Sequence, residues 1–302
     1  MPVTRDKTVF HYLPPGVLDT LQNVEMVARG LVEGALAGLH RSPYTGFSSE
    51  FSEYRKYCPG DPVKFLDWVV YLRTDRYYIK QFHEETNTRV YVLLDVSNSM
   101  SLGPRHRQKF NYGCYLAAAF MYLMHRQRDA VGLFTYSDRV QDYFPARTAP
   151  AHLRQLLLHL EGLKPAGRSA AAPCFHRAAE TIPRRSLVLV FSDFFDLDPA
   201  FLRSLEHFRY QQCEVILFQV LDPQETKFPF RGLVEFKDRE TGETIEVESE
   251  DYRESYLEAL QGYNRAAREA CNRMDIAFEE LATDTPFERA LMAYFYKREK
   301  LY

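Results

Sequence analysis

The sequence, 302 residues long, predicts an α/β protein with a mostly parallel sheet flanked by helices. Three observations carry this prediction. The stretches 88–94 and 186–191 are dominated by apolar residues without polar alternation, as in strands buried on both faces. From Thr88 onward, strand-like stretches alternate with segments of helical period. The first of these stretches also ends in Asp95-Val96-Ser97-Asn98-Ser99-Met100, placing a carboxylate and two hydroxyls at alternate positions just past a strand. Ligands of open α/β sheets bind outside the carboxyl ends of the strands.

Taken in chain order, residues 16–37 place Val17, Leu18, Leu21, Val24, Val27, Leu31, Val32 and Ala35 on one helical face. The period breaks near Gly38. Residues 40–87 are dense in charge and aromatics, with a turn at Pro59-Gly60-Asp61 and a strand over 77–82. Strand 88–95 leads to a helix over about 106–128, whose wide apolar face (Phe110, Cys114, Ala117, Phe120, Met121, Met124) suits packing on a sheet. Strands 130–136 and 139–144 flank Ser137-Asp138. Helices near 150–161 and 173–182 follow, then strand 186–191, a helix over 198–209 and strand 213–221. A hairpin over 232–248 turns at Glu240-Thr241-Gly242-Glu243. A long helix over 250–273 and strand 275–281 precede a last helix, opened by the capping box Thr285-Pro286-Phe287-Glu288. The expected division is an N-terminal helical/β extension, residues 1–87, packed on a main domain, residues 88–302.

Composition narrows the function classes. A net charge of -3 gives no bulk electrostatic case for nucleic acid, and no partner of that kind is expected. The 22 Phe and 20 Tyr are core material. Five widely spaced cysteines form no C-x-x-C, which argues against a disulfide framework or a zinc site. The start has no apolar signal core, and the longest apolar run, 115–124, is too short to span a bilayer. A soluble, cytoplasmic protein without membrane insertion is expected. Between Glu235 and Glu258 stand ten acidic residues against three basic ones, either a solvated face or a docking surface for a basic partner.

The D-x-S-x-S stretch has two readings. It can be a Ser-rich turn capping the next helix. Alternatively, oxygen-only donors suit a hard cation such as Mg²⁺. Partner ligands stand at the ends of other elements: Asp193 after strand 186–191, and Ser169 in the loop Ala166-Gly167-Arg168-Ser169. With these residues the chain resembles the von Willebrand factor A fold and its metal-ion-dependent adhesion site. The resemblance implies Mg²⁺, with Mn²⁺ or Ca²⁺ as substitutes, held by Asp95, Ser97, Ser99, Ser169 and Asp193. Ser169 stands where the pattern has Thr. Asn98, Met100 and Arg168 are expected beside the metal, facing a partner. Arg168 either weakens metal occupancy or receives an incoming carboxylate.

Further motifs extend the resemblance. Gly38-Leu39-His40-Arg41-Ser42-Pro43, Gly46-Phe47, Glu50-Phe51, Arg55-Lys56-Tyr57, Pro59-Gly60-Asp61, Asp67-Trp68, Arg73-Thr74-Asp75 and Glu84-Glu85-Thr86-Asn87 are similar to the bacterial family labelled domain of unknown function 58. That resemblance implies work alongside a MoxR-type AAA+ ATPase. His40, Arg41, Glu50, Arg55, Asp61, Asp67 and Arg73 are read as a structural polar network, or else as a second binding surface.

The expectation is therefore a non-enzymatic, Mg²⁺-dependent protein–protein interaction module. A protein partner would donate Asp or Glu to the metal, and the chain would serve as an adaptor in assembly or maturation of client proteins. The alternatives are a Mg²⁺-assisted hydrolase of phosphate esters and a metal-free scaffold. Against an enzyme, the sequence has no G-x-S-x-G, no phosphate loop and no H-E-x-x-H, and its nine histidines show no ligand spacing.

Overall fold

A computed structural model describes residues 28, 29, 31, 32, 54–56, 77–80, 88–104, 108–195, 198–287, 289–291 and 294. By its internal contacts the chain divides into two compact units, residues 1–38 with 88–302, and residues 39–87. In the smaller unit, β1 (Tyr54–Lys56) pairs antiparallel with β2 (Tyr78–Lys80), Arg55 opposite Ile79. Apart from Tyr77, which is exposed, the remainder of the 40–87 motif segment lies outside the described residues, Trp68, Asp61, Asp67 and Arg73 included. Of the helix expected over 16–37, Ala28, Arg29, Leu31 and Val32 are described and helical, with Ala28, Leu31 and Val32 buried.

The larger unit is built on a six-stranded sheet of β3 (Arg89–Asp95), β4 (Ala130–Tyr136), β5 (Val140–Arg147), β6 (Leu187–Ser192), β7 (Glu214–Leu221) and β10 (Ala277–Ala282). Their order is β10-β7-β6-β3-β4-β5. Only β5 runs antiparallel to its neighbour. Numbered from β3, this is the 3-2-1-4-5-6 order of a doubly wound sheet, which reverses direction between β3 and β6. The α/β class and the mostly parallel sheet flanked by helices are as the sequence predicts.

The long helices are α1 (Lys109–Arg126), α2 (Pro150–Gly162), α3 (Ala171–Thr181), α4 (Pro199–Tyr210) and, after the short α5 (Pro223–Lys227), α6 (Ser249–Arg273). One sheet face buries Tyr91, Leu93, Val188, Val190, Val215 and Leu217 in a core shared with Phe175 of α3, Phe201 and Phe208 of α4 and Cys271 of α6. On the other face Phe191 and Phe218 stack at 5.0 Å, and Phe120 of α1 packs on both, at 5.9 and 5.3 Å. Burial on both faces is why these strands show no polar alternation. Between β3 and β5, Gly132 leaves room that a side chain would take. A Cβ there would lie 2.7 Å from the Tyr91 ring and 2.8 Å from the Phe144 carbonyl.

Beyond β7 the chain makes α5, opened by a capping box of Asp222 and Glu225, and the hairpin of β8 (Leu233–Lys237) and β9 (Thr244–Glu248). The hairpin matches its predicted place; α5 was not anticipated. Phe287, Arg289, Ala290, Leu291 and Tyr294 are helical where the last helix is expected, while the Glu288 half of its capping box lies outside the described residues. Among the described residues no helix is long and apolar enough to cross a membrane.

Candidate functional site

The reversal of strand order opens a crevice between the ends of β3 and β6, and the Asp95 loop lies there. Asp95 is fully buried, and both its oxygens are engaged. The Ser97 backbone N–H donates to Oδ1 at 2.8 Å and the Ser192 hydroxyl to Oδ2 at 2.6 Å. One carboxylate thus ties the end of β3 to the end of β6. A 3-10 turn over Asn98–Ser101 follows, and the Ser97 and Ser99 hydroxyl oxygens stand 3.0 Å apart.

Backbone hydrogen bonds bring the loop after α2 onto this turn. The Val96 N–H donates to the Tyr136 carbonyl (2.8 Å), Ala166 N–H to the Val96 carbonyl (2.7 Å), and Asn98 N–H to the Gly167 carbonyl (2.9 Å). Gly167 has φ +87°, and a Cβ on it would lie 2.9 Å from the Ser137 hydroxyl, so the loop's path depends on glycine. Ser99, Ser169 and Asp193 line one cavity of about 910 Å³.

At the end of β6, Asp193 is buried and Phe194 turns the chain at φ +51°, an uncommon conformation for a bulky residue. The turn is held by the Phe194 N–H donating to the Ser192 hydroxyl (3.2 Å) and by Gln219 donating to the Asp193 carbonyl (3.1 Å). The Phe194 ring sits in the core.

The sequence reading missed Lys109, the first residue of α1. Its Nζ lies 2.9 Å from Asp193 Oδ2 and 2.8 Å from Glu225 Oε1, with 1% of its side chain exposed. Burial alone would lower the lysine's pKa, but the charges of Asp193 and then Glu225 outweigh it and raise it. Burial raises the Glu225 carboxyl, against the opposing pull of Lys109. A search for oxygen ligands could not find Lys109, because only the packing of α1 on the sheet brings its ammonium to Asp193. Ser192, read only as the end of a strand, holds Asp95.

The side chains present fit a divalent ion. Burial, and then the charge of Asp193, push the Asp95 carboxyl up to about 7, against the hydrogen bonds from Ser192 and Ser97, while the Lys109 ammonium pairs with Asp193 and Glu225. A dication would relieve the remaining negative charge. The Ser97 and Ser99 hydroxyls are hydrogen-bonded to each other at 3.0 Å, which leaves them near the separation of about 2.9 Å that adjacent oxygens take around octahedral Mg²⁺ with ligands at 2.0–2.1 Å. The fully buried Tyr136 hydroxyl has no hydrogen-bond partner among the described residues. Among the described residues no group of three His, Cys, Asp or Glu side chains could hold a metal ion, so hydroxyls would have to supply part of any metal shell here.

Of the residues expected to face a partner, Asn98 is half-buried and Arg168 exposed. Met100 corrects its expectation. It is fully buried under the 3-10 turn, its methyl toward Gly113 of α1, and does not face a partner. The turn's helical wind directs that side chain inward as a core anchor.

A doubly wound α/β domain with a polar, oxygen-rich crevice at its switch point is the class of protein these features define. The chain belongs to the family described as protein of unknown function DUF58, whose profile matches residues 53–266. It is 28% identical over 232 residues to the uncharacterized proteins Rv1480 of Mycobacterium tuberculosis and Mb1516 of Mycobacterium bovis, covering 76% of this chain and 72% of each relative. Among solved structures it is similar to the conserved hypothetical protein BatB of Bacteroides thetaiotaomicron (15% identity, 70% of this chain, 99% of that one, TM-score 0.48). It is also similar to the SpRpn10 VWA domain (11% identity, 68% and 93%, TM-score 0.39).

Proposed function

We propose that this chain is a non-enzymatic interaction module that recognises an acidic side chain of a protein partner through Mg²⁺ held at the switch point. The reading is carried by the Ser97 and Ser99 hydroxyls, 3.0 Å apart beside the buried Asp95. In it, Ser97 and Ser99 bind the metal directly, Ser169 offers a further hydroxyl from the neighbouring loop, and Asp95 and Asp193 supply negative charge. When bound, the ion supplies a coordination position for a carboxylate from outside. Lys109 holds Asp193 in place, and its ammonium together with a bound dication would balance the carboxylates of Asp95, Asp193 and Glu225, so that an incoming acid would meet the ion without excess negative charge beneath it. Family membership supports a partner among MoxR-type AAA+ ATPases, with this chain as adaptor for client proteins; Mn²⁺ or Ca²⁺ would substitute in vitro.

The test is calorimetric titration with Mg²⁺ and Mn²⁺, followed by capture of a MoxR-type ATPase with metal and with chelator. Wild-type protein is expected to bind one ion and to capture the ATPase only with metal. Asp95→Ala/Ser97→Ala should lose both properties while keeping a native circular dichroism spectrum. Equal capture by the folded double variant, or capture insensitive to chelator, would overturn the proposal.

A further inference from the structure

The β8–β9 hairpin reaches the crevice with its tip. The Glu240 carboxylate accepts a hydrogen bond from the Ser169 backbone N–H at 3.0 Å. The adjacent Arg239 donates to the Ser101 hydroxyl at 3.1 Å. The tip therefore grips both loops of the oxygen site, the one carrying Ser97 and Ser99 and the one carrying Ser169. Its own shape is set locally, since the Glu240 and Thr241 N–H groups donate to Asp238 Oδ1 at 2.6 and 3.0 Å and Gly242 turns at φ +78°. Those bonds hold the Asp238 carboxyl below the usual carboxylate range. Glu240 lines the same cavity as Ser99, Ser169 and Asp193. A carboxylate from this chain thus stands beside Ser169, in the cavity that a partner's carboxylate would have to enter.

We propose that Glu240 is a built-in ligand of this site: it completes the metal's surroundings in the free protein and yields its place when a partner supplies an acidic side chain. This rests on the metal-dependent reading above. The chemistry is that of competing carboxylates. Glu240 is tethered to the same chain, so its effective concentration is high and only a partner with further contacts displaces it. Those contacts have a surface: the cavity continues from Ser169 and Glu240 to Phe228, Phe230, Phe236 and Tyr256, which pack on one another with centroids 4.9–5.7 Å apart. The fitting partner is a segment that pairs an Asp or Glu with a large apolar side chain. The built-in acid also discriminates, since a carboxylate lacking the apolar companion gains too little to replace it.

The experiment is Mn²⁺ titration of the full chain by calorimetry, with hydrogen exchange of the Ser169 amide as a second readout. Glu240→Gln keeps the side chain's size at a half-buried position of the hairpin tip. It is expected to weaken Mn²⁺ about tenfold and to speed exchange at Ser169, whereas Glu243→Gln, a charge neighbour lining the same cavity, should change the affinity by less than twofold. In wild-type protein Mn²⁺ should slow exchange across 238–243. An unchanged Mn²⁺ affinity in Glu240→Gln would overturn the built-in ligand while leaving the metal site standing. Equal losses in the two variants would overturn it as well, reducing the effect to general charge. No Mn²⁺ binding by wild-type protein would overturn both proposals.

Discussion

Lys109 spends the charge of a buried ammonium on two carboxylates from different elements, Asp193 after β6 and Glu225 in α5. Removing one partner of such a group leaves uncompensated charge in a low-dielectric setting, which costs about 3–5 kcal/mol. Lys109→Met is therefore expected to lower unfolding free energy in urea by about that amount. Lys109→Met/Glu225→Gln should recover part of the loss, because one orphaned carboxylate has been neutralised along with its partner. A double variant no more stable than the single one would show that Glu225 is not coupled to Lys109. The residue scale is also where sequence reading stopped short. Asp95, Ser97 and Ser99 were legible because they sit together at the end of one strand. Lys109 carries no local signal: a lysine opening a helix reads as a solvated side chain until the fold buries it.

Among the elements, α1 does the most to hold the sheet. Its small and apolar residues form a wide face because it covers the sheet while the last helix covers part of it in turn. Phe120 meets Phe191, Phe218 and Tyr294 at 5.3–5.9 Å. Phe120→Ala is expected to destabilise by about 3–5 kcal/mol through lost burial and the cavity left behind. Calorimetric or urea melts would measure it, and a loss below about 1 kcal/mol would contradict the packing described. Strand and helix periods made nearly every element of residues 88–282 legible, with ends displaced by a few residues. The exception is α5, five residues long: a single turn with a cap has no apolar period to read, although Asp222-Pro223-Gln224-Glu225 carries the capping-box pattern. Met100 was misplaced for a related reason, since the direction of one side chain in a 3-10 turn cannot be read from its neighbours.

For the whole molecule, one part of the pH dependence comes from a buried base on α2, outside the crevice. His152 of α2 is buried, and its Nε2 lies 3.1 Å from the Val131 carbonyl. Burial lowers its pKa, the Val131 carbonyl opposes that, and the Arg147 charge adds to the lowering. The unfolded chain therefore takes up the proton first as pH falls. The contribution to stability is complete above the ordinary histidine value of about 6.5 and declines as pH drops through it. Asp95, held up to about 7, acts in the opposite direction over the same range, so the comparison is with His152→Gln: in urea unfolding at pH 7.5 and 5.5 the wild-type protein should lose stability toward acid relative to the variant. An identical difference in both proteins would sink the assignment.

By itself the sequence determined the strands, the helices, the parallel sheet they imply and the oxygen-bearing loop at the end of the first buried strand. These follow from periodicity and local turn chemistry, which act over a few residues. Only the tertiary structure decided which distant groups share the crevice. The strand order reverses between β3 and β6, and this brings Ser192 to Asp95, Lys109 to Asp193, and Glu240 of the hairpin to Ser169. Such meetings depend on how elements pack across the sheet, and burial then sets the strength of each charge that meets there. That information is spread over the whole core and stands in no single stretch of the chain.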